Sequence, residues 1–357
     1  MGQSQGRLGW VTGVAAVLLV LSAGVRAADS PGPRYDFSRQ ELEAILDDLI
    51  AWLPGSWDSY PQVHFQRRVR APAGGEHAHW HRVFARIDAP QLGEVVFYGQ
   101  INLGGRDAPM MHRSQILYTA RIDEARGAVI VNGQGPADPE RFENLHERPE
   151  LWSEVRMRDP AALRCDFLWR REGTQIVGLL EAKAVEGRKA GLGTCSYRVD
   201  GTDVEFFADA EWVLGPENLW DYDINLMNGH QFVGRPDRLH KRLYRAAGYE
   251  CRVRDAAGER KWFTHDRGGT QAVTDRTGRA LRLMLLRAPM PNAEGHGMQD
   301  RLRLMVQRPN EDTPLQQSEH APLANTASIE FEGVSASCER ASSLPPMHAA
   351  STAKPAS

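Results

Sequence analysis

Apolar residues recur at helical spacing in one segment near the start of the chain, and this spacing predicts an amphipathic helix. The apolar stripe consists of Leu42, Ile45, Leu46, Leu49 and Leu53. Ser38 and Glu41 supply the Ser-x-x-Glu sequence of a capping box, which marks a helix start. Pro54 and Gly55 predict the helix end. The apolar face needs a partner surface, and we expect it to dock on a β-sheet.

Most of the chain that follows alternates between apolar and polar residues, which is typical of half-buried β-strands. The predicted strands cover residues 63–70, 79–84, 94–101, 114–122, 128–132, 165–170, 174–182, 195–199, 204–207, 210–214 and 239–246. Asp200 and Gly201 favour a hairpin turn because both tolerate a positive φ. Residues 140–160 do not alternate and are predicted to be helical or irregular. Many short strands at regular spacing indicate a mainly β protein, either a sandwich or a barrel.

A second, smaller β unit is predicted in the C-terminal part of the chain. Its strands cover residues 260–265, 279–287, 301–308 and 328–334. The whole chain then divides into a signal peptide (1–27), a linker (28–36), a main β domain (37–250), a small β domain (251–340) and a tail (341–357). The tail consists mostly of Ser, Ala and Pro and is predicted to be disordered.

Residues 1–27 have the order of a secretory signal peptide. Arg7 gives a positively charged start, and residues 8–25 are mostly apolar. Val25 and Ala27 are small residues at the two positions that signal peptidase recognises before a cleavage site. We therefore expect cleavage after Ala27 and a periplasmic or secreted protein, with an uncleaved membrane anchor as the alternative. No other stretch is long and apolar enough to span a bilayer, so no membrane span is expected after cleavage.

The charge of the chain argues against a nucleic-acid partner. The net charge is −3, and it becomes −5 when Arg7 and Arg26 leave with the signal peptide. The one arginine-rich stretch, residues 67–70, stands alone and is interpreted as a solvated strand face. Nothing in the sequence indicates the oligomeric state.

Four cysteines predict two disulfide bonds, because an exported chain matures in an oxidising compartment. Of the three possible connectivities, we favour Cys165–Cys195 with Cys251–Cys338, because each bond then closes within one predicted domain. Buried free thiols are the alternative. The absence of a Cys-x-x-Cys sequence argues against a thiol redox site and a zinc ribbon.

Several short motifs between residues 42 and 246 occur in the order found in one protein family. They are Leu53-Pro54-Gly55-Ser56-Trp57-Asp58, Phe97-Tyr98-Gly99-Gln100, the strand from Pro109 to Tyr118, Cys165-x-x-x-Trp169 followed by Gly173, Gly178 and Cys195, and Gly229-His230-Gln231-Phe232-Val233-Gly234. In these motifs the chain resembles the CpcT/CpeT family of chromophore lyases.

The resemblance implies an antiparallel, lipocalin-like (calycin-like) β-barrel with a pocket at one end. Cyanobacterial members of the family attach an open-chain tetrapyrrole to a cysteine of a phycobiliprotein. Such a task needs an aromatic-lined cavity, a cation for the propionates and an acid near the pyrrole nitrogens. One hypothesis is therefore a lyase-like protein that handles a bilin, a haem-like molecule or another small hydrophobic carboxylate. The other is a non-catalytic periplasmic carrier or protein-interaction module on the same barrel. No resident cofactor is required in either case.

Five residues are candidate ligand contacts within the implied barrel. They are Tyr98, Gln100, Arg113, Gln115 and Tyr118. Residues two apart share a strand face, as Tyr98 and Gln100 do, and likewise Arg113 and Gln115. An arginine that faces aromatic residues is suited to bind a carboxylate bidentately. A structural ion pair, for example with Asp123, is the alternative for Arg113.

The sequence assigns neither catalytic residues nor a metal site. It contains no GxSxG, HExxH or Walker motif. His77, His79 and His81 are spaced to share one strand face, where two of them would suit Zn²⁺ if a third ligand came from elsewhere. No third ligand is evident from the sequence, so a polar, solvent-facing strand is the preferred interpretation. The many tryptophans are interpreted mainly as core residues.

Overall fold

The computed structural model describes residues 36–71, 75–108, 110, 114–158, 165–180, 194–198, 202–235, 239–291, 297–309, 311–318 and 324–342. These residues contain two α-helices, α1 (Arg39–Trp52) and α2 (Tyr60–Arg68), and two 3₁₀ turns at Leu145–Glu147 and Pro149–Leu151. The strands are β1 (Gly55–Asp58), β2 (Trp80–Arg86), β3 (Val95–Leu103), β4 (Ile116–Asp123), β5 (Ala128–Gln134), β6 (Asp166–Glu172), β7 (Gln175–Leu180), β8 (Thr194–Arg198), β9 (Glu205–Leu214), β10 (Asn218–Met227), β11 (His230–Val233), β12 (Lys241–Arg245), β13 (Gly248–Asp255), β14 (Gly258–His265), β15 (Arg267–Thr274), β16 (Ala280–Pro291), β17 (Met298–Gln307), β18 (Pro314–Gln317), β19 (Thr326–Phe331) and β20 (Val334–Arg340).

Helix α1 has the predicted start and the predicted apolar face. The backbone N–H of Ser38 donates to Glu41 Oε2 at 2.8 Å, and the Glu41 N–H donates to Ser38 Oγ at 3.3 Å. Leu42, Ile45 and Leu49 are fully buried. Burying each of these side chains contributes about 1.5–3 kcal/mol.

Ten antiparallel strands close into a barrel in the order β10, β12, β1, β2, β3, β4, β5, β6, β7 and β9, and pairing of β9 with β10 completes the ring. Strands β8 and β11 extend the sheet as further partners of β9 and β10. The predicted antiparallel β-barrel is therefore confirmed. Its assignment to the lipocalin or calycin type stays a prediction.

One end of the barrel is filled by apolar side chains. Helix α1 contacts β4, β5, β6 and β7. Its buried face shares a core with inward-facing residues such as Trp57, Trp169, Leu219 and Leu243. A barrel interior of this width must be filled by side chains or by a ligand. Since α1 occupies one end, open space remains only further along the axis.

An irregular segment, residues 136–157, covers the outer face of strands β2, β3 and β4. We call it the covering segment. Phe142, Leu145 and Val155 from this segment pack against Val96 and Leu117 of the barrel wall. The prediction that this part of the chain is helical or irregular is confirmed by its two 3₁₀ turns.

The C-terminal residues form two four-stranded sheets, with the orders β14-β13-β20-β19 and β15-β16-β17-β18. One core is common to both, and it contains the alternating Leu281, Leu283 and Leu285. Described residues from the barrel and from these sheets belong to one compact unit. The division at residue 250 into two domains stays a prediction.

Both favoured disulfides are present, Cys165–Cys195 and Cys251–Cys338. Cys251 and Cys338 lie directly opposite each other on β13 and β20. Two disulfides fit a protein of an oxidising, extracytoplasmic compartment. Residues 1–27 lie outside the described residues. Within the described part of the chain, neither helix has the length and apolar character needed to cross a bilayer.

The predicted strand at residues 63–70 is wrong, because Val63 to Arg68 belong to α2. Asp58 Oδ1 accepts a hydrogen bond from the Tyr60 N–H at 2.7 Å before the first turn. Pro61 also suits that turn. The buried stripe uses Tyr60 and Val63, which are three residues apart, and it docks on β12, β15 and β16. Tertiary packing therefore outweighs the local alternation.

Candidate functional site

A cavity of about 320 Å³ occupies the part of the barrel interior that α1 leaves open. Its wall is mostly apolar, and its aromatic members are Phe84, Tyr118, Phe167, Phe206 and Trp212. Small-molecule sites are usually concave and mainly apolar, with a few polar groups that fix orientation. The cavity has this composition, since Arg82, Asp223 and Asn225 also line it.

Trp212 is the centre of the aromatic wall. Its ring centroid lies 5.8 Å from that of Phe84, 6.0 Å from Tyr118 and 5.7 Å from Phe167. The first two contacts are edge-to-face, which is a favourable geometry for aromatic pairs. These rings support one another and form a rigid apolar surface.

Two inward-facing glycines make room for Tyr118. A Cβ atom at Gly99 would lie 2.9 Å from Tyr118 Cε2, and one at Gly133 would lie 2.9 Å from Tyr118 Cδ1. Both distances are below normal van der Waals contact. Strands β3 and β5 on either side of β4 thus need glycine at these positions, and the tyrosine ring fills the space that a side chain would take.

A buried charged group lies at the polar side of the cavity. Arg82 donates from Nη2 to Asp221 Oδ2 at 2.9 Å, and Lys241 Nζ lies 3.1 Å from the same oxygen. The Arg82 guanidinium also lies 5.4 Å from the ring centroid of Trp212. Arg82 Nε has no hydrogen-bond partner among the described residues. Arg82 therefore retains a donor after pairing with Asp221.

Asp223 adds a second carboxyl group next to this cluster. Burial raises its pKa, and the negative charge of Asp221 raises it further, while Lys241 and Arg82 oppose both effects. Asn225 Nδ2 donates to Asp223 Oδ1 at 2.5 Å. When Asp223 is protonated, Arg82, Lys241 and Asp221 carry one excess positive charge. When it is ionised, the four groups balance.

Among the four predicted ligand contacts that the structure describes, Gln100 and Tyr118 both border the cavity, but the Gln100 side chain is bonded to Asn144 on the outer side of the wall. Tyr98 and Gln100 do share a strand face, but it is the outer one, beneath the covering segment. Tyr98 Oη donates to Phe142 O at 3.1 Å, and Gln100 Nε2 donates to Asn144 Oδ1 at 2.8 Å.

Gln115 lies beneath the same segment, with Nε2 donating to Pro139 O at 2.9 Å. The reason is strand parity. Ile116 and Tyr118 face inward on β4, so Gln115 and Leu117 face outward. Arg113 lies outside the described residues.

Arg82 and Asp223 are cavity residues that the sequence analysis did not identify. Trp80, Arg82 and Phe84 alternate on β2, and an arginine between two aromatic residues on one strand face is a usable signal. The sequence analysis did not predict strand β10. Two of its inward positions carry the polar residues Asp221 and Asp223, whereas inward positions of a barrel strand are usually apolar.

A second polar cluster lies outside the barrel wall, between β1, β2 and the C-terminal β14. Asp58 and His81 are directly opposite each other in the pairing of β1 with β2. Asp58 is fully buried and accepts hydrogen bonds from His79 Nε2 at 2.8 Å and from His81 Nδ1 at 2.9 Å. His265 Nε2 lies 4.0 Å from Asp58 Oδ2.

The pKa values within this cluster follow from its partners. Burial alone would raise the pKa of Asp58, but His79, His81 and His265 outweigh it and hold the pKa well below its usual range. Burial lowers the pKa of His265 to about 3, so its imidazole is neutral. His77 is not part of the cluster, since its ring contacts Gln66 and the Leu239 carbonyl.

Comparison with known proteins assigns no family to the chain. Neither a protein-family model nor a curated protein matches it. Among solved structures, it is similar to the selenomethionine-labelled CRL protein of Arabidopsis, with 12% sequence identity and a TM-score of 0.39. The match covers 57% of this chain and 97% of that chain. A similarity of this size leaves the family of the chain open.

Proposed function

We propose that the barrel binds a small, largely apolar molecule that carries one carboxylate group, and that the protein serves as an extracytoplasmic carrier for it. The observation that supports this most is an aromatic-walled cavity of about 320 Å³ with Arg82 in its wall. The aromatic surface suits a flat apolar body, and Arg82 suits an anionic group.

The charges around Arg82 favour an anion over a neutral ligand. Asp221 is shared between Arg82 and Lys241, so one carboxylate serves two cations. Asp223 has a raised pKa and accepts a proton more readily than an ordinary aspartate. A ligand carboxylate near Arg82 therefore completes the charge balance, provided that Asp223 is protonated.

The size of the cavity limits the ligand. A volume of about 320 Å³ is near the lower end of the usual range for small-molecule pockets. A bicyclic aromatic acid is of suitable size. A tetrapyrrole, with four linked rings, would have to extend beyond the walls that the described residues form.

A second candidate function is lyase-like handling of a tetrapyrrole, as the CpcT/CpeT resemblance implies. The observation in its favour is Asp223, a half-buried carboxyl with a raised pKa in the wall of an aromatic cavity. Such a group is suited to donate a hydrogen bond or a proton to a pyrrole ring. Arg82 would then bind a propionate.

The test of the carrier proposal is a titration of tryptophan fluorescence with 1-naphthoate and with the neutral 1-naphthamide. We expect saturable binding of 1-naphthoate and weaker binding of 1-naphthamide. Arg82→Met should weaken 1-naphthoate binding by about 10- to 100-fold, as expected for one charge-assisted hydrogen bond. Arg86→Met is the matched control, because Arg86 is exposed on the same strand. Equal binding of both ligands, or no effect of Arg82→Met, would contradict the proposal.

The lyase-like function is tested by visible absorbance titrations with biliverdin and haem. A red-shifted band that saturates, and that changes position in Asp223→Asn, is expected if the cavity receives a tetrapyrrole. Absence of any spectral change would leave only the carrier proposal.

A further inference from the structure

The two oxygens of Asp58 have different surroundings. Oδ1 accepts from His79 Nε2 at 2.8 Å and from the Tyr60 N–H at 2.7 Å. Oδ2 faces His81 Nδ1 at 2.9 Å and His265 Nε2 at 4.0 Å. Oδ1 thus accepts hydrogen bonds from two donors, while Oδ2 points towards the imidazole rings of His81 and His265.

The three groups around Oδ2 are buried and close together. One ligand atom from each of Asp58, His81 and His265 lies within 4.8 Å of the others. All three residues are at most 2% exposed. The second ring nitrogen of His81, Nε2, is buried and has no hydrogen-bond partner among the described residues. The nitrogen of His81 that faces Asp58 is Nδ1, and it is therefore the ligand atom that this ring offers.

We propose that Asp58, His81 and His265 bind a divalent transition-metal ion of the zinc type. Two imidazoles and one carboxylate are a usual three-residue ligand set for Zn²⁺. His79 and the Tyr60 N–H then act on the distal oxygen of Asp58 and orient the carboxylate, which is the common role of groups behind a metal ligand.

The two separations that involve Asp58 need only small adjustments. Tetrahedral Zn²⁺ with bonds of about 2.0–2.2 Å separates its ligand atoms by roughly 3.4 Å. The Asp58–His81 contact would open by about 0.5 Å, and His265 would approach Asp58 by about the same amount. Such shifts are within the reach of side-chain rotation.

Metal binding also rearranges protons. The ion takes the place of the proton between His81 Nδ1 and Asp58 Oδ2, and His81 then carries its ring proton on Nε2. A neutral His81 ring moves its proton from Nδ1 to Nε2, whereas an imidazolium releases one proton to solvent. With the metal on Nε2, the ring proton of His265 lies on Nδ1. The weak contact in which the Arg267 N–H approaches Nδ1 at 3.3 Å is then lost. His265 is already neutral, because burial lowers its pKa.

A neighbouring cavity supplies space for a further ligand. It has a volume of about 250 Å³ and is lined by His79 and His265, with Gly105 and Arg106 of the loop after β3. A water molecule entering from this cavity would complete four-coordinate geometry. Since β1 and β2 belong to the barrel and β14 to the C-terminal sheets, the ion would connect the two parts of the protein.

The test uses the chain purified without a histidine tag and dialysed against EDTA. Zn²⁺ is titrated in competition with a chromophoric chelator. We expect one tight site per chain and a rise in Tm with added Zn²⁺. His265→Gln should weaken the site by more than about 100-fold, since even groups behind a ligand contribute 10- to 100-fold. His230→Gln is the control, because His230 is exposed. Equal zinc affinity in the wild type and His265→Gln overturns the proposal.

The visible spectrum of the wild-type chain loaded with Co²⁺ is a second measurement, and it needs no folded variant. Intense bands of four- or five-coordinate cobalt support the site. A weak octahedral spectrum, like that of the aqueous ion, overturns it.

Discussion

The barrel cavity and the Asp58 cluster each contain an aspartate with a shifted pKa, but the two pKa values shift in opposite directions. In the cavity, burial and the nearby Asp221 raise the pKa of Asp223. In the cluster, His79, His81 and His265 overcome burial and lower the pKa of Asp58. Asp58 is the more deeply buried of the two aspartates, yet its pKa is the one that is lowered, so the neighbouring charges decide the sign of the shift.

This difference separates the two sites in function. Asp223 adjoins open space, and its protonation state is free to respond to a ligand. Asp58 does not adjoin open space, because its two carboxylate oxygens accept hydrogen bonds from three donors within 3 Å. The cavity is therefore suited to exchange ligands, and the cluster is suited to hold a fixed charge.

The largest expected effect comes from removing one buried charge at either site. Asp58→Asn and Asp221→Asn should each lower the free energy of unfolding by about 3–5 kcal/mol, because charged hydrogen bonds are lost and their partners remain buried. Urea denaturation in the presence of EDTA measures this. Glu330→Gln, at an exposed position, is the control and should change stability by less than about 0.5 kcal/mol.

Ligand rescue sharpens this comparison. In Asp221→Asn, Arg82 and Lys241 lose their shared acid, so 1-naphthoate should stabilise this variant more than it stabilises the wild type. It should give no such extra stabilisation to Asp58→Asn. If both variants respond equally, the two sites are not electrostatically independent.

The next effect is the pH dependence of ligand binding. The pKa of Asp223 is raised above its ordinary 3.8, and a bound carboxylate should raise it further. Binding then takes up a proton, so affinity for 1-naphthoate falls as the pH rises past this raised pKa. The fall is at most about tenfold per pH unit, because one proton is linked to binding. Isothermal titration across this range should show the slope, and Asp223→Asn should flatten it.

The same linkage fixes how Asp223 affects stability. A carboxyl with a raised folded-state pKa favours folding most below its unfolded-state pKa of about 3.8. That contribution is lost as the pH rises through the folded-state pKa. The stability of Asp223→Asn should therefore vary less with pH than that of the wild type. A variant with an unchanged pH profile would contradict the raised pKa.

A smaller effect is expected from the glycines of the wall. Gly133→Ala places a Cβ 2.9 Å from the Tyr118 ring, which must move into the cavity. We expect a loss of about 1–3 kcal/mol in stability and weaker 1-naphthoate binding. Gly215→Ala is the control, because its Cβ would meet no atom closer than 3.9 Å. Thermal unfolding measures the stability of the two variants, and fluorescence titration measures their affinity for 1-naphthoate.

The smallest effect is expected at Tyr98. Tyr98→Phe removes a hydroxyl beneath the covering segment, but Gln100 Oε1 still accepts from the Asn144 N–H at 3.0 Å. Stability should fall by about 0.5–1.5 kcal/mol, and 1-naphthoate affinity should not change. A loss of affinity in this variant would mean that the outer face of β3 contributes to binding.

Local sequence signals, such as caps, apolar spacing and turn glycines, predicted those elements in which the local pattern agrees with the tertiary packing. Helix α1 was predictable from its capping box and its apolar spacing, and both hold in the structure. The hairpin of β6 and β7 was predictable from Gly173, which has a φ of +60°. Helix α2 was not predictable from local signals, because its buried stripe depends on contacts with distant strands. Strand β10 was not predictable either, because its inward face carries polar residues.

By itself, the sequence predicted the mainly β composition, the first helix and two disulfide bonds, but the choice between a sandwich and a barrel came from the family resemblance and the disulfide pairing from the predicted domain division. The composition, the helix and the number of bonds follow from short-range periodicity, turn residues and cysteine number. Only the tertiary structure decided which side of each strand faces the cavity, and it brought Asp58, His81 and His265 together across more than 200 positions of sequence. The physical reason is that a one-residue change of strand parity exchanges the inner and outer faces. Local pattern alone does not fix that parity when both faces are buried.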